Sequence, residues 1–248
     1  MMTGVRIQKI LSSAGLGSRR AAEKLIKDGR IVIDGKPVIL GTKADPSDCE
    51  IFLDGKLVPL NLGKPDLTLV MNKPRGVIVS RQDDRSRRTV FDLLEAFPSN
   101  LSYAGRLDRD TSGLLILSTD GNLLQYLSHP KFGMQKEYIA SLRNPVKSNI
   151  CRKLIEGINL QDGFVRASVA ENIGVSENSN LHLFRIVVHE GRNRIVRRML
   201  ANFGAEVIRL HRASMGPITL GRLKSGKTRE LSHREIGEIR RIGKSTHL

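Results

Sequence analysis

Apolar residues recur at helical spacing in two successive segments near the start of the chain. Ile7, Ile10, Leu11 and Ala14 fall on one face of residues 6–14, with Arg6 and Lys9 off that stripe, which predicts a short helix. Gly17 and Ser18 then supply a break and an N-cap, Ala21, Ala22, Leu25 and Ile26 form a second stripe, and Gly29 provides a stop. The pattern next switches to short β-like runs around Asp34-Gly35 and Asp54-Gly55, dipeptides suited to tight hairpin turns. An αα-then-β unit of about 60 residues results, a size that is marginal yet able to fold. The stretch PLNLGKPDL, with two prolines and a glycine, closes it.

The rest of the chain mixes the two periods. LTLVMNKP, GLLILST, EYIASL, VRASVAENIGV and LHLFRIVVHEG read as strands, and TVFDLLEAF, GNLLQYLSH, SNICRKLIEG and RNRIVRRMLANFG read as helices. Without regular βαβ alternation this predicts an α+β domain on a mainly antiparallel sheet. From about His233 the chain mixes charges with few apolar residues, as a helix end and a loose basic tail would. The expected division is therefore 1–62, 63–240 and a tail at 241–248.

Charge changes the picture from fold to partner. Lys and Arg number 41 against 25 acids, a formal charge of +16, which favours a polyanion and makes nucleic acid the leading partner. A basic protein of the membrane surface would carry bulky aromatic anchors, but this chain has no Trp and 4% aromatic residues. No run approaches the roughly 20 apolar residues of a membrane span and the N-terminus shows no signal-like apolar region, so a cytoplasmic location is expected. Cys49 and Cys151 lie too far apart in sequence to suggest a zinc site or a disulfide framework.

Arg6 before the first helix, GLGSRRAAEKLI in the second and GRIVIDGKPV in the hairpin together resemble the S4 RNA-binding domain. A row of basic residues is ordinarily a solvated helix face. The resemblance implies instead that Arg6, Lys9, Arg19, Arg20 and Lys24 form a phosphate-binding surface.

The segment AGRLDRDTSGLLILSTDG places Asp108 and Asp110 in a loop just before an apolar strand, where catalytic groups tend to sit. Acids in such loops are more often turn or cap residues, and Asp120, ahead of a helix with Leu123, Leu124 and Leu127, reads as a cap. The segment as a whole is similar to the GRLDxxTxGLLLLTNDG signature of pseudouridine synthases, departing at Ile116 and at Ser118-Thr119. The likeness extends to LVMNKPRGVIVS, QKEYIASL, EGRNRIVRRM and LHRASMGPITLGRLKSGKTREL, so it spans nearly the whole chain. With the S4-like unit it points to ribosomal RNA pseudouridine synthases of the RsuA/RluB type. EGRNRIVRRM looks nearest to the RluB branch, which acts on large-subunit RNA.

The resemblance implies that the Asp108 carboxylate drives isomerisation of a uridine, either by adding to C1′ or by taking the 2′ proton, with no cofactor and no metal. An ionised acid in a mostly dry pocket needs a cationic partner. By similarity this falls to Arg197, which borders the apolar stripe of Ile195, Val196, Met199, Leu200 and Phe203. Arg192, Arg194 and Arg198 are expected to contact phosphates. The KxY motif at Lys136 to Tyr138 implies that Tyr138 stacks on the target uracil, and Arg106 would fill the gap left by an extruded base. Lys73 and Pro74 would support the active-site loop. Ribosomal RNA, in the 23S molecule or a pre-ribosomal particle, is the expected partner of a monomeric protein. Two rivals remain open: an S4-type RNA or ribosome binder without chemistry, and a metal-dependent nuclease using Asp108, Asp110 and Asp120 as ligands.

Overall fold

A computed structural model describes residues 4–60, 63 and 65–245. The chain forms two compact units: Met1–Leu67 with Ala96–Leu101, and Thr68–Glu95 with Ser102–Leu248. The boundary stretch at 59–67 is described only in part, because residues 61, 62 and 64 lie outside the described residues.

In the first unit β1 (Val5–Arg6) leads into α1 (Ile7–Ser13), and α2 (Arg19–Lys27) follows. Ser18 caps α2 by accepting from Ala21 N at 3.1 Å, and Gly29 ends it with φ +70°. β2 (Ile31–Ile33), β3 (Lys36–Pro37), β5 (Ile51–Leu53) and β6 (Lys56–Leu57) form a four-stranded sheet in the order β3-β2-β5-β6, while β4 (Lys43–Ala44) pairs with β1. Both hairpin tips adopt the positive φ that their Asp-Gly pairs suit, 48° and 76° at Asp34 and Gly35, 50° and 76° at Asp54 and Gly55. Ile7, Leu11, Ala22, Ile26, Ile31 and Ile51 form the core beneath the helices. Ala21, expected on the buried stripe, is exposed.

The second unit is built on one large sheet of β7 (Thr68–Lys73), β8 (Ser102–Tyr103), β9 (Thr111–Ser118), β10 (Lys136–Leu142), β13 (Val169–Val175), β14 (His182–Val188), β15 (Val207–Met215), β16 (Ile218–Thr219) and β17 (Thr228–Glu230). Its main path runs β13-β14-β10-β15-β9-β7-β17, antiparallel throughout except where β15 meets β9. β11 (Ile158–Leu160) and β12 (Gly163–Val165) make a separate hairpin. Helices α3 (Gly121–Ser128) and α6 (His233–Ser245) cover one face through Leu123, Leu127 and Ile239, against Val70, Leu114 and Ile116. α4 (Ser148–Glu156) packs on β13, and α5 (Ile195–Ala201) lies beside β15.

Two expected elements differ. The helix expected over TVFDLLEAF is a single 3-10 turn, Phe91–Leu93, because Val90 N donates to the Ile78 carbonyl at 2.9 Å and Leu94 is extended. The tail expected at 241–248 is helical as far as Ser245: Ile239 and Gly243 are buried in α6, so apolar packing extends the helix past the point where charge dominates the sequence. Residues 246–248 lie outside the described residues. No helix of the described residues is long and apolar enough to cross a membrane.

Candidate active site

One face of the large sheet carries a row of paired positions. Lys73 on β7 pairs with Gly113 on β9, Gly113 with Arg212 on β15, and Arg212 with Tyr138 on β10. Paired residues project to the same face, so Lys73, Arg212 and Tyr138 share it, and Lys136, two residues before Tyr138, joins them. Gly113 in this row is required: its φ is +109°, and a Cβ there would run into the backbone of Arg212. The glycine lets β15 approach β9 and so seats Arg212 next to the start of β9.

Asp108 stands just ahead of β9, at the rim of a cavity of about 630 Å³ also lined by Arg106, Thr111, Lys136, Tyr138 and Arg212. Its turn is pinned in steps. Thr111 N donates to Asp108 O at 3.0 Å, Gly76 N donates to Arg109 O at 2.7 Å, and Arg109 Nε donates back to Gly76 O at 3.2 Å. Lys73, fully buried, donates from Nζ to Pro74 O at 2.8 Å and Val77 O at 2.7 Å, shaping the loop that holds Arg109. Lys73 and Pro74 thus occupy the supporting position expected of them.

The arginines are arranged otherwise than expected. The ion pair of Arg197 is with Asp110, Nη2 to Oδ2 at 3.1 Å, and not with Asp108; Nη1 also donates to Val207 O at 2.8 Å. Arg194 forks onto Asp110 at 3.1 and 3.2 Å and reaches Asp108 Oδ2 at 3.8 Å. Arg194 is placed for this by its left-handed backbone, φ 49°, immediately before α5. Asp110 is therefore more than a turn residue. Burial acts to raise its pKa, but the hydrogen bond from Arg194 and the charges of Arg197 and Arg194 hold it below the usual carboxylate value.

Arg192 and Arg198, expected at phosphates, are engaged within the protein. Arg198 Nη2 meets Asp162 Oδ2 at 2.8 Å. Arg192 pairs with Asp162 and Glu190 and donates to the carbonyls of Asp162, Gly163 and Phe164. The reason is geometric: the β11–β12 hairpin turns its carbonyls and Asp162 toward α5, and spaced arginines satisfy them. Arg106 is exposed and Tyr138 is 8% exposed, both at the cavity.

Two buried cations of the site were not singled out as such from the sequence, Lys136 and Arg212. Lys136 Nζ donates to Met134 O at 2.9 Å and His189 O at 3.1 Å, and burial, with Arg212 nearby, lowers its pKa to about 8. Burial likewise brings Lys73 to about 8. The signal for Lys136 is a charged residue at the head of the strand run that carries Tyr138, whereas Arg212 lies among other charges and gives no such signal.

Asp120 accepts from Asn122 N and Leu123 N as the cap of α3 and pairs with Arg240 at 2.9 Å. It sits at the far end of β9 from Asp108, roughly 25 Å away at ordinary strand rise. Among the described residues no group of three or more His, Cys, Asp or Glu is arranged to hold a metal ion.

Comparison with known proteins places the chain in a family. Residues 67–202 fit the model of the RNA pseudouridylate synthase family, and residues 5–48 fit the S4 domain. The chain belongs to the RNA pseudouridylate synthase family. It is 38% identical over 238 residues to the ribosomal large subunit pseudouridine synthase B of Bacillus subtilis, covering 96% of each chain. It is 42% identical over 240 residues to an uncharacterized RNA pseudouridine synthase of Mycobacterium tuberculosis, covering 95% of this chain and 93% of that one. A crystal structure of a pseudouridylate synthase superposes with a TM-score of 0.66 at 28% identity, over 95% of this chain and 99% of the other.

In the first unit, Arg6, Lys9 and Arg19 line a cleft of about 380 Å³ with Gln8 and Glu23, while Arg20 and Lys24 are exposed along α2. The basic residues that resemble the S4 pattern thus lie together on one unit.

Proposed function

We propose that this pseudouridine synthase isomerises a uridine of large-subunit ribosomal RNA, with Asp108 as the reacting carboxylate. The observation that carries the assignment of Asp108 is its place: a carboxylate on a turn pinned by Gly76 and Arg109, at the rim of the cavity that Tyr138 lines. A carboxylate there can add to C1′ or remove the 2′ proton, and either route breaks the glycosidic bond, lets the ring turn and joins C5 to C1′ without a cofactor. Tyr138 stacks on the uracil in the cavity, and Arg106, exposed at the rim, occupies the space left by the extruded base. Arg194 and Arg197, locked on Asp110, keep positive charge beside Asp108.

The choice of large-subunit RNA is supported by full-length likeness to the Bacillus subtilis enzyme. The first unit supplies phosphate affinity through Arg6, Lys9, Arg19, Arg20 and Lys24, and the second supplies the chemistry in a protein that acts as a monomer. Incubation with ribosomal RNA carrying tritium at uridine C5 tests this: the wild-type protein releases tritium and Asp108→Asn does not. Strand scission without tritium release would point to a nuclease, and binding without either to an RNA binder. Mapping pseudouridines in ribosomal RNA from cells lacking the protein identifies the site and subunit.

A further inference from the structure

The cations around the cavity differ in what their donors have left to give. Arg194 is spent on Asp110, Arg192 on Glu190, Asp162 and three carbonyls, and Lys136 on two carbonyls. Arg212 is different. It is 1% exposed, it forms no ion pair among the described residues, and its hydrogen bond runs from Nε to Leu114 O at 2.7 Å. Nη2 is buried without a partner. A guanidinium without a counter-ion at the floor of a cleft is costly to hold, since one hydrogen bond to a carbonyl only partly replaces the hydration a buried charge loses. It is retained directly beside Tyr138, with Lys136 close enough to share its field.

The reaction creates, for part of its course, the charge that Arg212 lacks. Breaking C1′–N1 sends the bonding pair to N1, so the ring departs as a monoanion with its charge shared among N1, O2 and O4. C1′ is made good either by a bond to the Asp108 oxygen or by loss of the 2′ proton to it. The ring turns, C5 bonds to C1′ as the Asp108 bond breaks or the glycal takes the proton back, C5 loses its proton to a base, and N1 is protonated. From the first step until C5 bonds to C1′, and again between loss of the C5 proton and protonation of N1, the ring is an anion and needs a counter-charge that does not collapse onto Asp108.

We propose that Arg212 is a catalytic residue whose positive charge, in the lining of the cavity beside Tyr138, stabilises the detached uracil anion. This rests on the assignment of the site above. A fixed cation in a water-poor cleft acts where charge develops and needs no reorganisation when it does. Its charge also favours retention of the anion in the cavity until C5 faces C1′.

The test compares wild type, Arg212→Gln and Arg212→Lys in single-turnover reactions on RNA with uridine or 5-fluorouridine at the target, following loss of the parent nucleoside. Fluorine withdraws electrons and makes the ring a better leaving anion, so it lessens the need for Arg212. Arg212→Gln is expected to slow uridine conversion by on the order of 10²–10³, and 5-fluorouridine conversion by at least about tenfold less. Arg212→Lys falls between wild type and Arg212→Gln. The Tm of Arg212→Gln should equal or exceed that of wild type, because a buried unpaired charge has been removed. The proposal is overturned if Arg212→Gln fails to fold, if it converts uridine within about threefold of wild type, or if both RNAs slow by the same factor. Wild-type protein that converts neither RNA would instead remove the functional reading on which the proposal depends.

Discussion

At the scale of single residues, Asp108 and Asp110 sit two positions apart with different duties, and substitution separates them. Among the described residues Asp108 has one distant ion contact, Arg194 at 3.8 Å, so Asp108→Asn should change unfolding free energy by less than about 1 kcal/mol while abolishing pseudouridine formation. Asp110 holds two arginines, so Asp110→Asn should lower stability by about 1–2 kcal/mol and lower the rate without abolishing it, through loss of positioning. Denaturant unfolding alongside single-turnover kinetics reads both, and equal activity losses would deny the division. Lys136 gives a pH signature. Its folded pKa is about 8 against an ordinary 10.5, so between these values the unfolded chain holds the proton more tightly and stability rises with pH. Below about 8 both states are protonated and the full cost of burying the ammonium is felt. Wild type should therefore gain up to about 3 kcal/mol relative to Lys136→Met between pH 7 and pH 10, measured by denaturant titration at each pH. A difference independent of pH would mean that the ammonium is not desolvated in the folded protein.

At the scale of elements, Gly113 decides how closely β15 can lie against β9. Gly113→Ala should cost about 2–4 kcal/mol, because the added methyl meets backbone that cannot swing aside and φ is +109°. A loss under about 1 kcal/mol in thermal unfolding would contradict this. The same junction shows what could be read from the sequence. β7, β9, β10, β13 and β14 were all legible as apolar or alternating runs, and α2 was legible from Ser18 and Gly29. β15 escaped notice because VIRLHRASM carries Arg209, His211 and Arg212, whose charge masks a strand lying between β10 and β9. Arg212 was missed with it. In the opposite direction, the apolar period of TVFDLLEAF suggested a helix that tertiary hydrogen bonding to Ile78 overrides. The arginines before and in α5 were visible, but not their partners: Asp110 lies 84 and 87 residues from the arginines it binds and Asp162 30 and 36, and periodicity carries no information on such pairs.

At the scale of the whole molecule, the formal charge of +16 is a reservoir for binding RNA, but the structure divides it into arginines already satisfied and basic groups still facing solvent. Arg192, Arg194, Arg197 and Arg198 are ion-paired with Asp110, Asp162 and Glu190, so they contribute little counterion release even though four arginines fall between positions 192 and 198. Arg19, Arg20 and Lys24 along α2 are exposed, and a phosphate meeting any of them displaces condensed cations from the RNA. Substitutions in the two groups should consequently differ in their effect on the salt dependence of binding. Replacing Arg19, Arg20 and Lys24 together by Gln should flatten the plot of log binding constant against log salt by about 2–3 units, at one unit or slightly less per lost phosphate contact. The rate of bound RNA in single turnover should stay near that of wild type. Arg198→Gln should leave the slope within about half a unit of wild type and register instead as a loss of stability, since it releases Asp162 on the β11–β12 hairpin. Fluorescence titrations of a ribosomal RNA fragment between about 50 and 200 mM salt make the comparison. If Arg198→Gln flattened the slope as much as the triple substitution, the α5 arginines would be exchanging their internal partners for phosphate when RNA binds, and the division of charge drawn from the unbound protein would not survive in the complex.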